Sequence, residues 1–154
     1  LTGLYNRRYV MEYIDSVVKD NKEFAVSLID VDFLKYYNDA FGHKTGDEYL
    51  IQVARLLEKF PGDRLISRVG GDEFLVIMIN STKEYLEERL RKLRANLMRT
   101  RDVGEARYTK GFSYGSSYRA KDSKKPVNIM INEADENMYK FKFEAKRQRK
   151  SLVY

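Results

Sequence analysis

Apolar residues along the chain recur in two patterns: compact runs typical of buried strands, and three- to four-residue spacings typical of amphipathic helices. The runs predict a strand over 24–31 and a two-stranded hairpin over 65–79. Helical spacing predicts helices over 5–20, from Thr45 to Pro61-Gly62, along Leu86, Leu90, Leu93 and Leu97, and along Ile131, Ala134, Met138, Phe141 and Ala145. The remaining predictions are a helical or looped segment (33–41), a polar loop (101–108), a strand around Gly115 (108–118), a charged loop (120–126) and a closing strand (152–154).

The predicted order of elements is that of a ferredoxin-like fold. A strand, a helix, two hairpin strands, a helix and a strand follow one another, with helices added at both ends. We therefore expect the α+β class, with a mostly antiparallel sheet flanked by helices. Thr45 and Glu48 match a capping box, so the second long helix should begin at Thr45. A length of 154 residues suits one compact domain.

The hairpin carries two glycines followed by two acids, within Arg68-Val69-Gly70-Gly71-Asp72-Glu73-Phe74. Adjacent glycines let a backbone approach a bulky anion closely, and Asp72 offers a hard oxygen ligand beside them. An ordinary Gly-Gly-Asp turn has the same sequence. The hairpin alone leaves both interpretations open.

A second acidic group, Asp30 and Asp32, ends the apolar run of the first predicted strand. Asp is depleted from strands, and alternate strand residues point to the same face, so the pair suggests function. Mg²⁺ prefers carboxylates together with substrate phosphates and waters. We therefore place Asp30 and Asp72 around a divalent metal. For Asp32, a capping role in the next segment remains as good an explanation.

Composition narrows the classes of binding partner but does not decide among them. The net charge of +6 favours an anionic partner, which is a nucleotide, a nucleic acid or a membrane surface. The absence of Cys excludes disulfides and thiolate metal sites and fits a reducing cytoplasm. No apolar run approaches the roughly 20 residues of a membrane-spanning helix. Since the sequence starts without Met or a signal-peptide pattern, we expect a fragment of a longer protein.

Several groups of residues stand in a fixed order along nearly the whole chain. They are Leu1-Thr2-Gly3-Leu4-Tyr5-Asn6-Arg7-Arg8, Ile29-Asp30-Val31-Asp32-Phe33-Leu34-Lys35, Asn38-Asp39, Phe41-Gly42-His43-Lys44-Thr45-Gly46-Asp47, Arg68-Val69-Gly70-Gly71-Asp72-Glu73-Phe74 and Ala134-Asp135-Glu136-Asn137-Met138-Tyr139-Lys140. Together they resemble the GGDEF, or diguanylate cyclase, domain family. Separated motifs in the right order make this resemblance far more specific than the five-residue signature alone.

The resemblance implies a palm-like fold with the signature hairpin between the two central strands, beside Asp30. It implies that two GTP molecules condense into cyclic di-GMP and pyrophosphate, with two Mg²⁺ ions per active site or Mn²⁺ in their place. It also implies a homodimer as the active state and an upstream sensory domain in the full-length protein. Nucleic acid and membrane contacts are not expected of such a domain.

Site residues follow from the resemblance, position by position. The metals would be held by Asp30, the Val31 carbonyl and Asp72. Gly70 and Gly71 would admit the phosphates, and Glu73 would support a metal or remove a proton. The remaining roles are phosphate or catalytic contacts for Lys35, Lys142 and Lys146, pocket lining for Phe33 and Leu34, and guanine recognition for Asn38 and Asp47. Asp47 also fits the first turn of a helix, where an acid is favoured by the dipole.

Two segments depart from the family pattern. The usual Lys-x-x-Gly-Arg-Asn ending is Lys142-Phe143-Glu144-Ala145-Lys146-Arg147 here, and Lys cannot reproduce a bidentate Arg contact. Arg147 is an alternative second phosphate ligand. Many members carry an Arg-x-x-Asp motif before the signature, where the product binds and inhibits. This chain has Pro61-Gly62-Asp63-Arg64 there.

Other function classes fit the sequence less well. Lys110-Gly111-Phe112-Ser113-Tyr114-Gly115 superficially resembles an RNA-recognition signature, but Gly115-Ser116-Ser117 stand where that signature has an apolar residue and a second aromatic after Tyr114. No phosphate-binding loop of the G-x-x-x-x-G-K-[ST] type occurs. The stronger rival is a catalytically silent GGDEF domain that binds GTP as a regulator or mediates dimerisation. His43, the lone His, is expected in a connecting loop with a structural role.

Overall fold

The computed structural model describes the backbone of residues 1–99 and 109–153 and the side chains of residues 1–99 and 109–148. Over these residues the elements are α1 (Arg7–Lys19), β1 (Phe24–Val31), α2 (Leu34–Phe41), α3 (His43–Leu57), β2 (Arg64–Arg68), β3 (Glu73–Ile79), α4 (Lys83–Arg99), β4 (Phe112–Arg119) and α5 (Val127–Val153). Their order agrees with the order predicted from the hydrophobic pattern. Residues 101–108, predicted as a polar loop, and Tyr108, the predicted start of the last strand, lie outside the described residues.

The four strands form one antiparallel sheet in the order β2-β3-β1-β4. This is the ferredoxin-like arrangement, so the predicted fold class is confirmed. The predicted position of the signature hairpin was wrong in one respect. It joins the edge strand β2 to the central strand β3, because the second edge of β3 pairs with β1 and not with another hairpin strand.

Helices cover both faces of the sheet. Successive strand residues point to opposite faces, so β1 contributes Phe24, Val26 and Leu28 to one core and Ala25, Ile29 and Val31 to the other. The first core includes residues of α1 and α5, and the second includes residues of α2, α3 and α4. The sheet therefore does not offer the open face on which an RNA-recognition module stacks its bases.

Gly115 brings α5 against the sheet. A Cβ at this position would lie 2.0 Å from the Met138 backbone nitrogen and 2.2 Å from the Ala134 carbonyl oxygen. Only a residue without a side chain allows the helix to come this close. The Asn137 amide also donates to the Ser116 carbonyl at 2.9 Å. These contacts fix α5 over the sheet and so determine where its later residues lie.

Two predicted element boundaries were wrong. α3 begins at His43 and not at Thr45, because Gly42, at φ 93°, turns the chain directly from α2 into α3. His43 is therefore the first residue of a helix and not part of a loop, and the Thr45 hydroxyl donates to the Phe41 carbonyl at 3.3 Å. Leu152 and Val153 continue α5 and form no closing strand, since the residues before them are good helix formers without Gly or Pro. Tyr154 lies outside the described residues.

No helix within 1–99 or 109–153 is both long and apolar enough to cross a lipid bilayer.

Candidate active site

The end of β1 and the signature hairpin meet, as the sequence predicts. Asp30 pairs with Glu73 in the β1–β3 register, and the Val31 amide donates to the Asp72 carbonyl at 2.9 Å. This main-chain bond ties the hairpin loop to the strand end. Asp30 and Asp72, 42 positions apart in the sequence, thus belong to one site.

Lys142 of α5 forms an ion pair with Asp30 Oδ2. The other oxygen, Asp30 Oδ1, is buried and has no hydrogen-bond partner within the described part of the chain. Burial raises the pKa of Asp30 to about 6; the neighbouring Asp72 carboxylate adds to the rise, while the hydrogen bond from Lys142 opposes it. Burial opposes the charge on Lys142 as well, but the carboxylates around it, Asp30 first, raise its pKa. The site therefore holds more negative charge than one lysine compensates.

A pocket of about 490 Å³ opens over this ion pair. It is lined by Asp30, Val31, Asp32, Phe33, Leu34, Lys35, Asp72, Ser113, Tyr139, Lys142, Phe143 and Lys146. Eight of these residues were predicted to bind metal or substrate or to act in catalysis. Three lysines and three aspartates face one another there, which is the donor set expected for a metal-bound polyphosphate.

Glu73, predicted to support a metal or remove a proton, follows Asp72 at the start of β3. It lines a neighbouring cavity of about 390 Å³ between α1 and α5, together with Arg7 and Asp135. Burial raises the pKa of Glu73, with further contributions from the Asp72 and Asp135 carboxylates. The Glu73 side chain is not among the residues that line the pocket holding Asp72.

The two glycines of the signature differ in the space around them, and neither has a left-handed backbone. Neither Gly70 nor Gly71 has a positive φ, so a left-handed turn is not what requires them. A Cβ at Gly71 would meet no heavy atom within 4 Å, whereas one at Gly70 would lie 3.3 Å from Glu73 Cβ. The space at Gly71 leaves room for a phosphate, and the phosphate role of the two glycines stays a prediction.

The two predicted guanine ligands are not among the residues that line the pocket. Asn38 is on α2, and its side chain packs against Gly46, where a Cβ would lie 1.6 Å from Asn38 Oδ1. Asp47 follows Gly46 on α3 and is exposed. The missing side chain at Gly46 thus makes room for Asn38 beside Asp47.

Sequence reasoning missed the contacts that hold Asp32. The Ser113 hydroxyl donates to Asp32 Oδ1 at 2.8 Å. The buried Tyr49 hydroxyl lies 2.8 Å from the Asp32 carbonyl and accepts from the Gly111 amide at 2.8 Å. The N-cap of α2 is Phe33, so Asp32 is not the capping residue considered above. No sequence signal marks Tyr49, because its spacing on α3 is that of any core residue.

Phe33 makes the turn from β1 into α2 in the left-handed conformation, at φ 60° and ψ 24°. A bulky residue rarely adopts this conformation, and such strain costs about 1–3 kcal/mol and concentrates at functional sites. Phe33 and the next residue, Leu34, both line the pocket. The strained turn directs the chain back over the strand end and closes one side of the site.

A comparison with known protein families identifies the family to which the chain belongs. The model of the diguanylate cyclase, GGDEF domain family matches residues 1–149. The chain belongs to the GGDEF domain family. Its resemblance to that family, based on separated motifs, is confirmed.

Known relatives of this GGDEF domain include two curated bacterial proteins. It is 36% identical over 150 residues to the response regulator PleD of Caulobacter vibrioides, covering 92% of this chain and 33% of PleD. It is 37% identical over 103 residues to the diguanylate cyclase DgcP of Escherichia coli, covering 59% of this chain and 30% of DgcP. The chain thus spans about a third of the length of these relatives.

A solved GGDEF domain confirms the fold. The GGDEF domain of DgcB from Caulobacter crescentus, in complex with c-di-GMP, superimposes with a TM-score of 0.80 at 21% identity. The alignment covers 93% of this chain and 88% of that one. At this identity the likeness shows the fold alone.

The pocket of this GGDEF domain fits the divalent metals that the family implies. Asp30 Oδ1, buried without a hydrogen-bond partner among the described residues, is an oxygen that a metal ion would satisfy. In the same part of the chain no three His, Cys, Asp or Glu side chains lie close enough to hold a metal by themselves. Mg²⁺ bound through one or two carboxylates and substrate phosphates needs no such cluster.

The segment that departs from the family's Lys-x-x-Gly-Arg-Asn ending, Lys142 to Arg147, lies on α5. Lys146 lines the pocket, whereas Arg147 forms an ion pair with Glu144 at 3.3 Å and does not line it. Of the two candidates for the second phosphate contact, Lys146 is therefore the one that lines the pocket. A lysine provides a point charge where the family's arginine provides a planar fork.

Arg64 has a structural role in this GGDEF domain. Its Nε donates to the Phe60 carbonyl and its Nη2 to the Glu58 carbonyl, each at 2.7 Å, which satisfies orphan carbonyls at the end of α3. Pro61 and Arg64 occupy the positions of the family's product-binding Arg and Asp. At these two positions the chain thus has a proline and an arginine that is bound to main-chain carbonyls, in place of the free guanidinium and the carboxylate of the motif.

We expect cyclic di-GMP to inhibit this domain weakly, and only by competing with GTP at the active site. Calorimetry with and without a saturating non-cleavable GTP analogue tests this. The heat of product binding should disappear when the analogue is present. Tight product binding that survives saturation would reveal a separate inhibitory site and contradict the assignment of Arg64.

Proposed function

We propose that this domain is a diguanylate cyclase that condenses two GTP molecules into cyclic di-GMP and two pyrophosphates. The observation that supports this most is the pocket in which Asp30 and Asp72, held together by the Val31–Asp72 main-chain bond, face Lys35, Lys142 and Lys146. Both acidic motifs of the family are intact there. The substrate places the domain in the cytoplasm, and an upstream sensory domain would control it within a longer protein.

The lysines of the pocket would bind the triphosphate. Lys142 and Lys146 stand four residues apart on one face of α5, so they can hold two phosphates together. Lys142 exchanges its Asp30 contact for a phosphate oxygen when nucleotide binds, and Lys35 lies across the pocket on the first turn of α2. Held in this way, the α-phosphate is fixed for attack by the 3′-hydroxyl of the other nucleotide.

Asp30, Asp72 and the Val31 carbonyl would hold two Mg²⁺ ions, or Mn²⁺ in their place. Such ions supply charge neutralisation on the triphosphate and acidify the attacking hydroxyl. Each of the two attacks forms a bond from a 3′-oxygen to an α-phosphorus and releases pyrophosphate. The hydroxyl proton needs an acceptor, and Glu73, which follows Asp72 in the signature hairpin, is the candidate that the family resemblance implies.

The reaction requires two copies of the domain, because each pocket holds one GTP and each hydroxyl must reach the α-phosphate of the other. The active state is therefore a homodimer. We expect the rate per chain to rise with protein concentration until the dimer is saturated. A rate per chain that stays constant over a hundredfold dilution, to well below the dimer dissociation constant, would contradict the two-chain mechanism.

Selection of guanine is expected to depend on Asp47, with Asn38 beside it. A carboxylate accepts from guanine N1 and N2, and adenine offers no such donor pair. Replacing Asp47 with Ser should lower the kcat/KM preference for GTP over ATP roughly 10- to 100-fold, the worth of one charged hydrogen bond. Glu48→Ser, the neighbouring exposed acid, is the matched control and should keep the preference. Equal use of ATP and GTP by the unaltered chain would refute the assignment.

A silent GGDEF domain that binds GTP without converting it is the second candidate. One observation favours it: the second phosphate contact is Lys146, which lacks the fork of an arginine. Release of pyrophosphate from GTP separates the two functions, because a silent domain would bind GTP with the same residues and release none.

A further inference from the structure

Two aromatic side chains on α5 are exposed beside the active-site pocket. Tyr139 is 71% exposed and Phe143 is 55% exposed, and both also line the pocket. Tyr139 is the most exposed large hydrophobic residue in the part of the chain that the structure describes. Residues that line a pocket and yet remain this exposed must stand at its rim.

The aromatic pair lies on the same helical face as the two phosphate-binding lysines. Tyr139, Lys142, Phe143 and Lys146 follow one another at positions i, i+3, i+4 and i+7, which is a single stripe along a helix. A molecule that holds phosphate through the lysines thus has the two rings at its edge. Whatever approaches the pocket from outside meets these rings.

The stripe is held rigidly. α5 is seated on the sheet by the close approach at Gly115 and by the Asn137–Ser116 hydrogen bond. Nearer the stripe, the Arg94 guanidinium lies 5.0 Å from the centre of the Phe141 ring, which also packs 4.6 Å from Tyr114. Rings presented on a rigid element lose little entropy on binding, and Tyr is enriched among the residues that dominate interfaces.

We propose that Tyr139 and Phe143 form the contact through which two GTP-loaded copies of this chain associate. The inference rests on the proposed function, because that reaction brings a second nucleotide-bearing copy to the mouth of the pocket. In a two-fold interface the same patch on each copy meets its partner, so four rings would be buried around the two nucleotides. Four aromatic side chains supply a substantial apolar area at the centre of an interface.

Sedimentation velocity of the chain with Mg²⁺ and a non-cleavable GTP analogue tests the proposal without requiring turnover. The wild-type chain should form dimers. In the double variant Tyr139→Ser, Phe143→Ser, the dimer dissociation constant should rise at least tenfold, a larger change than any loss in the affinity of the monomer for the analogue. Tyr85→Ser removes an exposed aromatic ring from α4, on the other face of the sheet, and should dimerise as the wild type does.

Three results would overturn the proposal. The double variant could dimerise as tightly as the wild type, or it could lose analogue affinity as a monomer and keep its dimer constant, which would assign the rings to the chain's own nucleotide. A wild-type chain that stays monomeric while it converts GTP would also exclude the contact. Analogue-dependent dimers that need the rings but release no pyrophosphate from GTP would support the contact and refute the cyclase proposal.

Discussion

Replacing Asp72 or Asp30 with Ala is expected to lower the rate of cyclic di-GMP formation at least about 100-fold, the scale on which one group that stabilises a transition state contributes. Each carboxylate would supply oxygen to the catalytic metals, and no other carboxylate in the pocket takes its place. Asp32, the remaining acid there, is bound by Ser113. Pyrophosphate release from GTP at saturating Mg²⁺ measures the loss.

The free energy of unfolding is the control for these variants, because it separates a loss of catalysis from a loss of folding. The pKa of Asp30 is raised from 3.8 to about 6, so the cost of its charge to folding grows between these two pH values and is fully present above about pH 6. At pH 7.5 the free energy of unfolding of Asp30→Ala should therefore not fall below that of the wild type. Asp15→Ala, an exposed acid on α1, should keep both activity and stability. Retained product formation in a folded Asp72 or Asp30 variant would refute the metal assignment.

Replacing Gly115 with Ala is expected to lower the free energy of unfolding by about 3 kcal/mol, at the upper end of the usual cost of overpacking. The new methyl group would lie 2.0 Å from a backbone nitrogen of α5, and backbone cannot move aside as a flexible side chain can. Urea denaturation followed by circular dichroism measures the change.

Gly71→Ala is the matched control for this stability measurement. Its methyl group would meet nothing within 4 Å, and its backbone is not left-handed, so its stability should change by less than about 0.5 kcal/mol. If Gly115→Ala were as stable as this control, the close packing of α5 on the sheet would be wrong.

The hydrophobic pattern predicted the sheet well, because its strands are long buried runs with clear ends. Two predicted boundaries were wrong. The start of α3 depends on a single backbone conformation, and the end of α5 depends on how far a long helix continues. Gly42 starts α3 two residues early through a positive φ, which the capping-box pattern at Thr45 does not reveal. The edge position of β2 depends on which strand pairs with the other side of β3. That pairing is between segments far apart in the sequence, so the local hydrophobic pattern does not reveal it.

The sequence predicts the part of the candidate site that is built from the ends of strands. Asp30 and Asp72 stand where two neighbouring strands begin or finish, so the fold alone brings them together. Contacts between distant segments were not predictable, such as the fit of Asn38 against Gly46 or the hydrogen bonds of Tyr49 with Asp32 and Gly111. The place of Glu73 in the neighbouring cavity also depends on how α1 and α5 pack on the sheet, since residues of both helices line that cavity.

Incubation of the concentrated wild-type chain with GTP and Mg²⁺, followed by chromatography and mass spectrometry of the products, tests the central claim most directly. We predict cyclic di-GMP together with two pyrophosphates for each molecule formed. Recovery of intact GTP from a chain that demonstrably binds it would contradict the cyclase and leave a nucleotide-binding GGDEF domain.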